Sequence, residues 1–134
     1  MVTITVARET TYQSFVTSWG ATSAYTFGNE KYTPPVDLPW VRLAMQHQTG
    51  SQDSLGGVGI RKFSRQGLVT IQVFVPQDSG MAAMDTLVTA ARAIFEGATI
   101  GTIRFTSASV QEIGPSDGWY QTNVDIEFTY YETK

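Results

Sequence analysis

Cysteine is absent from the chain, which excludes a disulfide framework, a thiolate zinc site and a catalytic thiol while leaving the compartment open. Charge is scarce. Asp, Glu, Lys and Arg make up 16% of the residues against ~25% in an ordinary soluble domain, so much of the surface must be neutral polar or shared with partners. Nine basic residues against twelve acidic ones leave a formal net charge of −3, and like charges never form a run. That balance argues against nucleic acid or an anionic membrane as the main target, since both depend on clustered Lys and Arg. No apolar stretch approaches ~20 residues and no signal-peptide core is visible, so the expectation is a soluble chain that neither spans a membrane nor is exported by a cleavable signal. One histidine, His47, is present, and alone it cannot build a metal site.

What is present describes one domain. At 134 residues the chain can bury roughly two-thirds of its unfolded surface. Its organising stretch runs from Gly67 to Gly97. Leu68–Val75 alternates strictly, with Val69, Ile71, Val73 and Val75 on one face and Leu68, Thr70, Gln72 and Phe74 on the other, the period of a half-buried strand. Gln77-Asp78-Ser79-Gly80 supplies turn residues and a candidate N-cap. Met81, Met84, Leu87, Val88, Ala91, Ile94 and Phe95 then recur at three- and four-residue spacing, a helical stripe that ends at Gly97. Stripe and strand each need a cover, and each suits the other.

Around this unit the pattern is less regular. Val2, Ile4 and Val6 alternate, but Tyr12, Phe15, Val16 and Trp19 sit at helical spacing, and the longer pattern predicts a helix over residues 4–19. Tyr25 and Phe27 suggest a short strand. Asn29 to Pro39 contains Pro34, Pro35 and Pro39 and reads as an extended connector over the surface or along a sheet edge. Trp40–Met45 alternates again. His47–Gly59, with four glycines and Leu55 as its one large aliphatic, reads as a loop that orders on a partner. Ile60–Phe63 returns as a strand, Arg65-Gln66-Gly67 as a turn. Weaker strands are expected at Ile103–Phe105 and Ser109–Ile113, a turn at Gly114–Gly118, and a last strand with Val124, Ile126, Phe128 and Tyr130 on one face. The fold class expected is α+β, a mostly antiparallel sheet with two helices packed on one face.

No catalytic constellation emerges. Gly114-x-Ser116-x-Gly118 spells a nucleophile elbow, but an elbow leads from strand to helix and is followed by a histidine; here a strand follows and His47 comes earlier. Asp125 and Glu127 share a strand face, as charges opposite an apolar face usually do, and no apolar setting that would split their pKa values is apparent. Gly56-Gly57-Val58-Gly59 before Arg61 and Lys62 lacks the Lys-Ser/Thr ending of a phosphate loop and leads into a strand. No catalytic, cofactor or metal residue is therefore assigned. Sheet edges, a proline-rich segment and a glycine-rich loop remain, and these are interaction features.

Three stretches together carry a resemblance: Tyr32-Thr-Pro-Pro-Val-Asp-Leu-Pro-Trp40-Val-Arg42; Ser54-Leu-Gly-Gly-Val-Gly-Ile-Arg61 with Gly67–Pro76; and Gly114-Pro-Ser-Asp-Gly-Trp119-Tyr120-Gln-Thr-Asn-Val124. In this order they resemble the tail terminator family of long-tailed bacteriophages, with gene-transfer-agent relatives and, more distantly, the lambda tail terminator. The resemblance implies a non-enzymatic virion protein without cofactors, a homo-hexameric ring seated on the last ring of tail tube protein. Such a ring stops tube growth and offers a surface to the head-completion (stopper) protein at the neck. It also implies assembly in the host cytoplasm, no membrane contact, and DNA met only as cargo in the lumen. Residues expected at oligomer or partner interfaces are Pro34, Pro35, Trp40, Ser54, Leu55, Gly56, Gly57, Arg61, Lys62 and Trp119. Another ring-forming tail or neck component, a tube subunit or a stopper, is the alternative.

Overall fold

The computed structural model describes residues 3–134. Helix α1 (Ile4–Trp19) starts because Thr3, in extended conformation, accepts the Val6 N–H on its Oγ1 at 3.2 Å, an N-cap that outweighs the β-branched run behind it. Ile4 and Val6 are 49% and 41% exposed, so the competing alternation has no buried face; Val2 lies outside the described residues. The helix buries Ala7, Thr11, Phe15 and Trp19, one residue per turn. Strand β1 (Ala24–Phe27) follows and packs beneath it, with Tyr12 stacked on Phe27 at 4.3 Å and Phe15 edge-on to Tyr25.

The remaining elements are β2 (Trp40–Gln52), β3 (Lys62–Pro76), α2 (Ala82–Phe95), β4 (Thr99–Ile100), β5 (Ile103–Ser116) and β6 (Trp119–Thr133). They form one six-stranded sheet in the order β1-β2-β3-β6-β5-β4. Every pairing is antiparallel except β1 with β2, which is parallel. Register builds the core in rows: Leu43, Ile71 and Val124 lie abreast, and Met45, Val69 and Ile126 form the next row. All six are buried on the face that both helices cover, together with Met84, Leu87, Val88, Ala91 and Phe95 of α2. The expected α+β architecture holds, with α1 and α2 on that one face.

Several boundaries differ from expectation, each for a local reason. His47–Gln52 is strand, not loop: it continues β2 past a bulge between His47 and Thr49 and pairs with β3. The glycine-rich loop is confined to residues 53–61. Ile60 is 71% exposed in that loop and β3 starts at Lys62. Arg65-Gln66-Gly67 runs straight through β3. Gly67 is there because a Cβ would collide with the Gln46 carbonyl and the Phe128 ring, a close approach rather than a turn. Ile103–Phe105 and Ser109–Ile113 are one strand broken by a bulge between Phe105 and Ala108. The Gly114–Gly118 turn shrinks to Asp117-Gly118, with φ of 53° and 84°, the two-residue hairpin loop that suits the twist of paired strands. No side chain caps α2; Ser79 instead donates its hydroxyl to the Pro76 carbonyl at 2.6 Å. Gly97 does adopt a positive φ of 72° behind the helix, and its N–H goes to the Thr106 carbonyl.

Candidate functional site

The expected interface residues separate to opposite ends of the long strands. Trp40 and Trp119 meet where β2 begins and β3 ends, with Pro34 and Pro35 in the connector that leads into β2. Trp40 lies on the sheet face away from the helices, stacked on Phe74 at 4.1 Å, tilted against Tyr32 and edge-on to Trp119, with the Arg42 guanidinium 5.2 Å above its ring. It is 4% exposed, and its indole N–H is buried without an acceptor. Trp40 is a packing residue. Beside this cluster Pro35, Leu38, Pro39, Ala83 and Leu87 line an apolar groove of about 400 Å³.

At the other end β2, β3 and β6 run on past the helices. Ser54 holds the base of the loop by accepting the Lys62 N–H at 2.8 Å, and Arg61 exchanges two backbone bonds with Lys134. Lys62 places its ammonium 4.0 Å over the Tyr131 ring. Above this tied base Leu55, Val58 and Ile60 are 94%, 89% and 71% exposed, and Gly56 and Gly57 are exposed with them. The three bare aliphatics thus stand on a glycine-rich tip with most of their surface in water.

Two further surfaces could not be placed from the pattern of residues. Strand β1 covers β2 only over Trp40–Leu43, and Arg8 extends that cover by donating to the Met45 carbonyl at 3.2 Å. Among the described residues nothing pairs with the outer edge of β2 from Gln46 to Gln52. On the far side β4, Ala98 and Gly97 cover β5 only as far as Thr106, and among the described residues nothing pairs with the outer edge of Ser107–Ser116. Edges such as these are normally guarded by Lys or bulges. Gln46–Gln52 contains no Asp, Glu, Lys or Arg, and the bare part of β5 has Glu112 as its single charge. Each stretch carries a bulge, between His47 and Thr49 in β2 and between Glu112 and Gly114 in β5, but neither has a Lys; that scarcity of charge was the one sequence signal that could have found them.

The fold keeps His47, Ser116 and the Asp125/Glu127 pair apart from one another. His47 Nε2 lies 2.7 Å from the Tyr130 hydroxyl, with its ring edge-on to Phe128. Burial, then the Arg8 and Arg65 charges, lower its pKa from 6.5, while burial and Glu132 raise that of Tyr130. The pair is therefore neutral at physiological pH and joins β2 to β6 as a structural contact, not the solvated side chain the loop reading implied. Asp125 accepts from Thr70 at 2.7 Å and Glu127 from Ser107 at 3.2 Å, two cross-strand bonds on separate pairs. Ser116 stands opposite Trp119 at the hairpin, at the other end of the sheet from His47. Among the described residues no three His, Asp or Glu side chains group as metal ligands.

A family model described as phage tail terminator protein matches residues 9–128. Chains of solved structures match as well. One is 18% identical over 95% of this chain and 95% of its own, with a TM-score of 0.57, a likeness of fold. No curated protein matches.

Proposed function

The chain belongs to the phage tail terminator family and is a structural protein of the phage tail, and from that premise we propose that it forms a closed homo-hexameric ring that caps the tail tube. The ring halts addition of tube subunits and presents its free surface to the head-completion protein at the neck. It performs no chemistry. The observation that carries the reading is the pair of bare strand edges on opposite sides of one sheet. A cyclic ring needs two different patches, one meeting the other on the next copy until rotation closes, and two bare, nearly uncharged edges of one sheet are such patches.

The exposed tip at Leu55, Val58 and Ile60 supplies the second kind of contact. It stands beyond the folded body, free to seat on a tail component above or below the ring. Burying three aliphatic side chains contributes ~1.5–3 kcal/mol each before ordering costs. Six copies repeat that contact around the ring, so modest single contacts become a firm cap.

The test is tube growth. Purified tube subunits of the same phage are allowed to polymerise, and this protein is added while lengths are followed by negative-stain microscopy. Growth should stop on addition, with a ring visible at one end of each tube. Tubes that lengthen at an unchanged rate contradict the reading.

A further inference from the structure

We propose that the subunit joint is an antiparallel strand pairing in which Ser107–Ile113 of β5 in one copy lies against Gln46–Gln52 of β2 in the next, offset by about six residues from the register within the chain. The proposal rests on the ring reading and deepens it by naming the two edges, their direction and their register.

Direction comes from strand parity. The long strands β2, β3, β6 and β5 are all antiparallel neighbours, so β2 and β5 point opposite ways. Under cyclic symmetry all copies keep one orientation, so β5 of one copy meets β2 of the next antiparallel, the stronger of the two ladders. Charge permits it. The facing stretches carry one formal charge between them, on Glu112, so no like charges oppose. Strand β5 limits the joint at its far end, because Pro115 has no N–H to donate and a bulge separates Glu112 from Gly114.

Register comes from where the edges are already covered. Through Gln72 and Asn123, Gln111 stands level with Arg42, in the part of β2 that β1 occupies. The centre of the bare part of β2, Thr49, lies six ladder rungs further on. A flat, unstaggered joint would thus press bare edge against covered edge on both sides. Strands in closed barrels tilt by ~35–45° to the axis. Four strands ~4.8 Å apart then displace each copy along the strand by ~13–19 Å, or ~4–6 residues. The offset the covered edges demand falls at the top of the range that closure imposes.

The sense of the shift agrees as well. Strands β3 and β5 run the same way and are joined through α2, a crossover that is right-handed by rule. With the helices outside and the strands coiling right-handed, each following copy moves so that its Gln46–Gln52 rises to the level of Ser107–Ile113 of the copy before. The face away from the helices, with Gln72, Asn123 and Gln111, then lines the channel. Thr49 pairs with Gln66, and Gln111 with Asn123, on that same face, as residues directly opposite across a joint must.

Because the chain has no cysteine, disulfide trapping reads the register directly. Thr49→Cys and Gln111→Cys are placed together in the full chain, and paired Cα atoms across a ladder lie ~4.5–5.5 Å apart, within disulfide reach. Mild oxidation should convert the monomer band on a denaturing gel into a ladder that ends at the closed ring. The pair Arg42→Cys with Gln111→Cys, which reports an unshifted joint, should stay monomeric on the gel. A second variant, Thr49→Lys with Gln111→Lys, opposes like charges at exposed positions and should shift the mass in solution from ring to folded monomer. Rings that form normally while Thr49 and Gln111 fail to cross-link overturn this joint and leave the ring reading standing. Trapping by the unshifted pair overturns it equally. A chain that stays monomeric at every concentration removes the ring reading and the joint with it.

Discussion

Large apolar residues crowd both ends of the β2–β3 pair, and they have opposite fates. At the aromatic end Trp40 is stacked on Phe74 and flanked by Tyr32 and Trp119, with 4% of its surface exposed. At the tip Leu55 keeps 94% of its surface in water. The sequence and its family resemblance assigned both ends to partners. The structure divides them: one end spends its apolar surface on the fold, the other holds it out beyond the base tied at Ser54, Lys62 and Arg61. Apolarity marks a surface to be covered. Whether the chain or a partner covers it depends on what folds back within reach.

Stability measurements can break or sharpen that division. The largest effect is expected at the aromatic end. Trp40→Ala removes a buried ring and should cost ~3–5 kcal/mol, read as a lower urea midpoint at unchanged slope; a loss within error of zero would make Trp40 a partner residue after all. Next comes the waist between the ends. Gly67→Ala forces a methyl into the Gln46 carbonyl and the Phe128 ring, and overpacking of this kind should cost ~1–3 kcal/mol, visible as a lower melting temperature. A neutral result would return Gly67 to the turn it resembles in sequence.

A smaller effect is expected from His47 at the same waist. Its folded pKa lies below the unfolded 6.5, because burial and the neighbouring Arg8 and Arg65 disfavour the imidazolium. Stability from this group is complete above the unfolded pKa and is lost as pH falls through the folded one, since the unfolded chain binds the proton first. Wild type should therefore weaken as pH drops below 6.5, and His47→Gln should flatten that part of the curve. Identical curves would show that the Tyr130 contact does not sense protonation. The smallest stability change belongs to the tip. Replacing Leu55, Val58 and Ile60 together by Ser should leave the melting temperature within about a degree, as surface changes do, yet abolish capping of tubes. A large drop would show that the tip belongs to the core.

Much of the fold was legible because burial leaves a period. Val69, Ile71, Val73 and Val75 face helices that cover them, and Met84, Leu87, Val88 and Ala91 face the strand in return, so each element announces the other. Where strands outrun the helices the period vanishes. Beyond the half-buried His47, Gln48–Gln52 is exposed on both faces, so nothing selects apolar residues there and a paired strand looks like a loop. Gly67 misleads for a related reason, since a turn and a close backbone approach both require the residue without a Cβ. The bare edges were illegible because exposure of an edge belongs to topology. That β1 stops at Leu43 and β4 at Arg104 can be known only after all six strands are in order. Family resemblance reached the tail role, which no single segment carries.

The central claim is that this chain works as a closed ring of identical copies, and mass in solution tests it most directly. Light scattering on the purified protein should give one species near six times the 14.7 kDa chain mass, constant over a wide range of concentration. A monomer throughout, or a mass that climbs with concentration into open tubes, would contradict it.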